Sequence, residues 1–134
     1  MNVVILGCGR LGAKLAQMLD SEGDAVTVVD PSSDSFTRLG PRFRGRTIVG
    51  VGIDEDVLRR ADIEQADAFV ALSDGDNTNI MASQVAQNIF KVPKVVSQIK
   101  DPIREDTYHL LGLETICPTT IGAEVMKEVL LRSS

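Results

Sequence analysis

The sequence predicts an α/β protein with a Rossmann-like, doubly wound, six-stranded parallel sheet in the order 3-2-1-4-5-6 and helices on both faces. Short apolar runs alternate with helical patterns of period 3.6 along the whole chain. The apolar runs lack a polar face, as expected for parallel strands buried on both sides. A glycine-rich turn also separates the first strand from the first helix. With 134 residues, 43% of them hydrophobic and 25% charged, residues 1–134 are expected to form a single domain.

Strands and helices alternate in a fixed order. The predicted strands are NVVILG, AVTVVD, RTIVGV, ADAFVALS, KVVSQIK and LETICP. The predicted helices are RLGAKLAQMLDSEG, SSDSFTRLG, EDVLRRADI, IMASQVAQNIF, PIREDTYHLLG and TTIGAEVMKEVLL, with DGDNTN as a loop before the fourth. Gly23 ends the first helix, and Ser32 or Ser33 caps the second. Asp54 caps the third, and Pro102 lies in the first turn of the fifth.

Composition argues against several classes of protein. No apolar run approaches the roughly 20 residues of a membrane helix, and the N-terminus has no signal-peptide pattern. The net charge of -5 and the single tyrosine argue against a nucleic-acid partner. Cys8 and Cys117 fit no metal or disulfide spacing, so both are interpreted as reduced thiols of a cytoplasmic protein. One basic stretch is interpreted as a solvated helix end and loop, with arginines at Arg38, Arg42, Arg44 and Arg46.

The glycine turn has the spacing of a dinucleotide-binding motif. Gly7 permits the tight turn, Gly9 lets a pyrophosphate approach the backbone, and Gly12 lets helix and strand pack closely. Free amides at the helix N-terminus then face the phosphates. Asp30, at the end of the second strand, is placed to accept hydrogen bonds from ribose hydroxyls, and its charge disfavours a 2′-phosphate and hence NADP. A Rossmann-like turn that binds no nucleotide remains the alternative.

Two neighbours of the glycines add to this site. Arg10 follows Gly9 directly, where a guanidinium can bind a phosphate through two hydrogen bonds. Cys8 lies between two glycines near a helix N-terminus, which can lower the pKa of a thiol. We expect Cys8 mainly to pack as a small apolar side chain.

Three segments together resemble the N-terminal domain of RCK proteins, the regulators of potassium conductance, which include TrkA-type subunits of potassium uptake systems. The segments are VVILGCGRLGAKLAQMLDSEGDAVTVVD, DEDVLRRADIEQADAFVALSDGDNTN and DPIREDTYHLLGLETICPTTIGAEVMKEVL. The resemblance implies a regulatory subunit, not an enzyme, that binds NAD(H), ATP or ADP. It also implies a homodimer or larger ring at the cytoplasmic face of the membrane, acting on a potassium-translocating subunit. Residues 119–131 correspond to the helix that packs against a partner subunit.

The resemblance also implies a set of ligand-binding positions. They are Gly7, Cys8, Gly9, Arg10, Leu11, Gly12, Asp30, Gly52, Ile53, Asp54, Leu72, Ser73 and Asn79.

Three features depart from the family pattern. Val51 stands where the family commonly has Asp or Asn facing the adenine, and Gln98 stands where an arginine is frequent. The second, C-terminal domain of the family is expected to be absent, so the chain is either a standalone form or a fragment.

Parts of the sequence are also compatible with three other functions. An NAD-dependent dehydrogenase would need an acid or base, and His109 and Tyr108 are the only histidine and tyrosine. A cation-binding loop is suggested by Asp74, Asp76 and Asn77, although turn and cap chemistry explains them equally well. A ligand-free assembly module is suggested by an apolar stripe on the last helix, formed by Ile121, Val125, Met126, Val129 and Leu130.

Overall fold

The computed structural model describes residues 1–132 and confirms the predicted sheet. Every adjacent strand pair is parallel, in the order β3-β2-β1-β4-β5-β6. The central strand β1 aligns Val3 with Val26 of β2 on one side and with Ala68 of β4 on the other. The strands are β1 (Asn2–Leu6), β2 (Ala25–Asp30), β3 (Arg46–Val49), β4 (Ala68–Ala71), β5 (Lys94–Gln98) and β6 (Glu114–Ile116).

The helices differ from the predicted ones mainly at their ends. The α-helices are α1 (Arg10–Ser21), α2 (Glu55–Arg60), α3 (Asp76–Gln84), α4 (Pro102–His109) and α5 (Pro118–Leu131). The predicted second helix is a 3₁₀ helix, Ser33–Leu39, and the predicted third helix ends at Arg60 before a separate 3₁₀ turn, Ile63–Gln65. The 3₁₀ geometry of the first of these suits a segment that begins with serine and aspartate, because their side chains compete for backbone hydrogen bonds.

The start of α3 corrects the prediction that DGDNTN is a loop. Helix α3 begins at Asp76, four residues before the predicted Ile80, and it continues into a π-helical turn at Val85–Ile89. The two carboxylate oxygens of Asp76 accept the backbone N–H groups of Lys100 and Asp101, at 2.7 and 3.1 Å. These bonds to a distant segment fix the first turn of α3, and no pattern in the neighbouring sequence predicts them.

The core lies on both faces of the sheet. Ile5 and Val28 are buried against α1 on one face, whereas Leu6, Val29 and Phe69 are buried against α2 and α3 on the other. This alternation follows from the two-residue period of strands. Apolar burial on both faces therefore fixes the register and brings the carboxyl ends of β1, β2 and β4 to one edge.

Helix α5 lies outside this core. None of its residues is buried, and its apolar side chains are between 46% and 82% exposed from Ile121 to Leu130. Among the helices of residues 1–132, none combines the length and the apolar character needed to cross a membrane.

Candidate functional site

A cleft of about 780 Å³ opens at the carboxyl ends of the strands. It lies where the strand order reverses between β1 and β4, the position at which doubly wound sheets bind ligands. The glycine turn forms its floor, and the segments after β2, β4 and β5 form its walls. A cleft of this size has room for a nucleotide.

The three glycines of the turn differ in the space around them. Gly7 has φ +106°, and a Cβ on it would overlap the carbonyl of Leu72. A Cβ on Gly12 would overlap the carbonyl oxygen of Gly7. These contacts confirm the tight turn and the close packing expected of Gly7 and Gly12. A Cβ on Gly9 would meet no protein atom within 4 Å, so the space beside Gly9 is open to a ligand.

The N-terminus of α1 faces this open space. Gly9 precedes the helix and offers no side-chain cap, and Ala13 donates the first backbone bond of the helix to the Gly9 carbonyl, at 2.9 Å. The amides of Arg10, Leu11 and Gly12 are therefore the unpaired first-turn donors of an α-helix. Such donors, together with the helix dipole, favour an anion.

Cys8 is held at three points, two on its backbone and one at its thiol, by the end of β2 and the segment that follows it. Its N–H donates to Oδ2 of Asp30 at 2.8 Å, and its carbonyl accepts a hydrogen bond from Nη1 of Arg38 at 3.2 Å. Its thiol donates to the carbonyl of Ser35 at 3.3 Å. Asp30 also accepts the N–H of Ser32 through Oδ1 at 2.9 Å. These bonds connect the glycine turn to the far wall of the cleft.

Cys8 is fully buried, which agrees with the expected packing role. Burial is the main cause that raises the pKa of its thiol, and the charge of Asp30 adds to the increase, while Arg38 opposes it. The Cys8 side chain is therefore held as a neutral thiol, unlike the activated thiolates found at some helix N-termini.

Asn79 lies beneath the cleft rather than among the residues that line it. Its side chain is fully buried, and Oδ1 accepts from the backbone N–H and the hydroxyl of Ser73, at 2.8 and 2.7 Å. Its Nδ2 donates to the carbonyls of Ser73 and Gln98, at 3.1 and 3.2 Å. Asn79 thus shapes the wall by tying the end of β4 to β5, and only Ser73 and Gln98 reach the cleft.

The segment after β3 divides into lining and non-lining residues. Val51 and Gly52 line the cleft, and a Cβ on Gly52 would overlap the side chain of Leu6. Ile53 and Asp54 do not line it. Asp54 caps α2 by accepting the N–H of Asp56 at 2.9 Å, which confirms its predicted capping role.

Arg38 is a cleft residue that the sequence did not reveal. The basic stretch is typical of a solvated helix end and loop, but the 3₁₀ helix places Arg38 in the cleft wall. Arg42 and Arg44 lie outside the cleft, and Arg46 pairs with Asp62. Lys100 also lines the cleft, where its ammonium group lies 3.1 Å from a carboxylate oxygen of Asp74.

In the polar segment that follows β4 and begins α3, side-chain oxygens accept hydrogen bonds from donors of the protein. Besides the bonds of Asp76 described above, Oδ1 of Asn77 accepts from Arg104 and from the hydroxyl of Tyr108, at 3.2 and 3.4 Å. Within residues 1–132 no group of three or more His, Cys, Asp or Glu side chains is arranged to hold a metal ion. Neither Tyr108 nor His109 lines the cleft.

A second concavity, of about 680 Å³, lies at the amino ends of the strands. Its carboxylates are engaged within the protein: Asp20 accepts the N–H of Arg44 at 3.1 Å, Asp24 pairs with the N-terminal amine at 2.9 Å, and Asp62 pairs with Arg46. Within residues 1–132 the N-termini of the helices that cover the sheet lie at the opposite edge, so this concavity offers no free helix amides to an anion.

Comparison with known sequences identifies the family. The sequence model of the TrkA-N domain matches residues 3–118. The chain belongs to the TrkA-N domain family. Trk system potassium uptake protein TrkA of Streptomyces coelicolor is 47% identical over 133 residues, which cover 99% of this TrkA-N chain and 60% of that protein. The TrkA homolog of Pyrococcus abyssi is 34% identical over 109 residues, covering 81% and 48% of the two chains. The TrkA-N chain thus spans between about half and three fifths of these two relatives.

Solved structures show the same fold at low sequence identity. The TrkA-N domain of the inner membrane protein ybaL from Escherichia coli superposes with a TM-score of 0.85 at 17% identity, over 98% of this chain and 96% of that one. The GsuK RCK domain superposes with a TM-score of 0.79 at 20% identity, over 93% and 27%. The Kef CTD of Shewanella denitrificans, solved in an AMP-bound form, gives a TM-score of 0.82 at 20% identity, over 100% and 84%. The resemblance to RCK N-terminal domains is therefore confirmed.

The open space beside Gly9 and the crowding at Gly7 predict losses of stability of different size for the same added methyl group. Gly7→Ala should lower the free energy of unfolding by about 2–3 kcal/mol, because it forces a left-handed φ and an overlap with Leu72. Gly9→Ala should lower it by less than about 1 kcal/mol, since only a weaker N-cap preference is lost. Urea denaturation measures both values. Equal losses in the two variants would contradict the difference in packing between Gly7 and Gly9.

Proposed function

We propose that this TrkA-N domain is the nucleotide-sensing part of a cytoplasmic regulatory subunit that gates a membrane potassium-translocating subunit. It binds NAD(H), or ATP and ADP, in the carboxyl-end cleft. The observation that carries the proposal is the pairing of free amides at the start of α1 with a carboxylate at the end of β2, across one open cleft. That pairing suits the phosphates and the ribose of one adenine nucleotide.

The phosphate end is formed by α1 and Arg10. The amides of Arg10, Leu11 and Gly12 face the open space beside Gly9, where no protein atom lies within 4 Å of an added Cβ. The Arg10 side chain is exposed at the first position of α1 and lines the cleft. Its guanidinium therefore adds a charged donor to a site that already favours anions.

The ribose end is formed by Asp30. Its oxygens already accept the N–H groups of Cys8 and Ser32, which fixes the orientation of the carboxylate before a ligand arrives. A carboxylate has about four acceptor positions, so two remain for ribose hydroxyls. This preorganisation lowers the entropy cost of binding.

The side of the cleft that we assign to the adenine base is more apolar than the family pattern. Val51, 53% exposed at the cleft, presents a flat apolar contact in place of a polar partner for the adenine. Ser73 and Gln98 provide the polar groups of the opposite wall. We assign the base to the Val51 side and the phosphates to the α1 side.

Known relatives support the ligand class and the transport system. Several relatives are named as Trk system potassium uptake proteins. Structures with the same fold include a GsuK channel bound to NAD and GsuK bound to ADP, with TM-scores of 0.71 and 0.73. In the proposed role the nucleotide is bound as a regulatory ligand and is not chemically converted. The positions of Tyr108 and His109 outside the cleft agree with a role without catalysis.

Helix α5 is assigned to self-association. Its apolar stripe, from Ile121 through Val125 and Val129 to Leu130, is exposed, and none of its residues is buried in the described chain. A contiguous apolar patch on a surface helix marks an interface. A second copy of the chain covers this stripe, and the nucleotide selects between two arrangements of the pair by its different affinity for each.

Calorimetric titration with NAD+, NADH, ATP and ADP tests the ligand site. We expect micromolar binding of at least one of them, and a loss of about tenfold or more in Gly9→Ala, because the methyl group occupies the phosphate position. Lys14→Ala is the control, since it shortens an exposed side chain on the same helix α1 at a position outside the cleft. The control should bind as the unmodified chain does.

Two results would contradict the proposed ligand site. Binding that survives unchanged in Gly9→Ala would move the nucleotide away from the glycine turn. No binding of any of the four nucleotides would favour the ligand-free assembly module instead.

Sedimentation of Val125→Lys tests the proposed interface. We expect the unmodified chain to form dimers or larger assemblies, and Val125→Lys to weaken the association at least about tenfold, because a charge in an apolar contact is costly to desolvate. Thr120→Lys introduces the same side chain on the opposite face of α5 and serves as the control. A monomeric unmodified chain, or equal effects of the two lysines, would contradict the assignment.

A further inference from the structure

The sheet has the same arrangement at the ends of β2 and β5. A doubly wound sheet consists of two mononucleotide-binding halves, here β1–β3 and β4–β6, and a dinucleotide lies across both. Asp30 ends β2 and lies opposite Val49 of β3, whereas Gln98 ends β5 and lies opposite Ile116 of β6. Asp30 and Gln98 therefore occupy equivalent positions in the two halves.

Asp30 and Gln98 also belong to one row across the sheet. The register aligns Leu6 of β1 with the residue before Asp30 and, through Ala71 of β4, with the residue before Gln98. Residues of one row point to the same face, and here it is the face of α1, against which Val28 is buried. The two positions are three strand spacings apart, about 14 Å, so a single ribose cannot contact both.

The Gln98 carboxamide is bonded at its nitrogen and unpaired at its oxygen. Gln98 is 5% exposed and lines the cleft. Its Nε2 donates to the carbonyl of Ser73 at 3.4 Å, and this acceptor decides which end of the carboxamide is the nitrogen. Within residues 1–132 its Oε1 accepts no hydrogen bond, and the fully buried unpaired side-chain oxygens are those of Ser83 and Ser97. Oε1 of Gln98 is thus an accessible acceptor without a partner.

The charges of the cleft favour a neutral group at the β5 end. Lys100 lines this end, but its ammonium group lies 3.1 Å from a carboxylate oxygen of Asp74, which lines the cleft as well. Arg10 lies on the other side of the cleft, beside the free amides of α1. The phosphates of a ligand are therefore favoured at α1, and an uncharged hydroxyl donor suits Gln98.

We propose that Gln98 accepts a hydrogen bond from a hydroxyl of the second ribose of a dinucleotide of the NAD(H) type. This inference rests on the proposed nucleotide-binding function. It narrows the ligand class from NAD(H), ATP or ADP to ligands that carry a second ribose beyond the diphosphate. Asp30 accepts from the first ribose and Gln98 from the second, and the diphosphate lies between them at the glycine turn.

Calorimetric titration with ADP, ATP, ADP-ribose and NADH tests this assignment, because ADP-ribose differs from ADP only by the second ribose. The unmodified chain should bind ADP-ribose and NADH about threefold to tenfold more tightly than ADP, as expected for one additional hydrogen bond. Gln98→Met removes the acceptor and keeps a side chain of similar length, so it should abolish this preference. Gln87→Met is the same substitution at an exposed position outside the cleft and should leave the preference unchanged.

The ratio of the affinities for ADP-ribose and ADP separates ligand contact from a structural role. If Gln98 only holds the Ser73 carbonyl, Gln98→Met weakens both ligands by the same factor, and the proposal is overturned. Equal binding of ADP and ADP-ribose to the unmodified chain, or tighter binding of ATP than of ADP-ribose, also overturns it and leaves the proposed nucleotide-binding function intact. If ADP, ATP and NADH all fail to bind, the proposed function itself has failed.

The side-chain amide resonances of Gln98 provide a second readout by nuclear magnetic resonance. Gln98→Met removes these resonances and so assigns them in the spectrum of the unmodified chain. ADP-ribose should shift them, and ADP should shift them much less, because only the second ribose reaches Gln98. Shifts of the same size with the two ligands would contradict the contact.

Discussion

The backbone of Gly7 lies directly against the carbonyl of Leu72, and the cleft depends on this close approach. The Gly7 N–H donates to the carbonyl of Val29 at 2.7 Å, and the Leu72 N–H donates to that of Leu6 at 2.6 Å. The ends of β1, β2 and β4 are therefore joined at one point. Gly12 then packs against the Gly7 carbonyl and directs the N-terminus of α1 across the opening. A side chain at Gly7 would separate these strands and remove the floor of the cleft.

Cys8 connects the two ends of the site. Its peptide is held between Asp30 and Arg38, so the phosphate turn and the ribose wall form one hydrogen-bonded unit. A nucleotide that contacts both ends restrains this unit. The first turn of α3 is tied in turn to the segment that leads into α4 through Asp76, which accepts the N–H groups of Lys100 and Asp101. Physical connections therefore extend from the cleft towards the edge of the sheet that carries β6 and α5. A coupling between ligand binding and assembly would require a ligand that binds two arrangements of the assembled chains with different affinity.

Local signals predicted much of this structure from the sequence. The strand order follows from the alternation of apolar strands and helices along the chain. The glycines form the turn at the predicted positions, and Asp54 caps the start of α2 as predicted. Tertiary contacts account for what the sequence did not reveal. Asp76 starts α3 early because it bonds to a segment 24 and 25 residues away, and Asn79 lies under the cleft because its partners are on β5 as well as β4. Arg38 reaches the site only because its segment folds as a 3₁₀ helix over Cys8.

The position of a bound nucleotide is the central claim, and nuclear magnetic resonance of the backbone amides tests it most directly. We expect NADH to shift the amide resonances of Arg10, Leu11 and Gly12 most strongly, because these free donors meet the phosphates. Resonances around the amino-end concavity, near Asn2 and Asp24, should change little. The largest shifts at that opposite end of the sheet, or none at the glycine turn, would contradict the account.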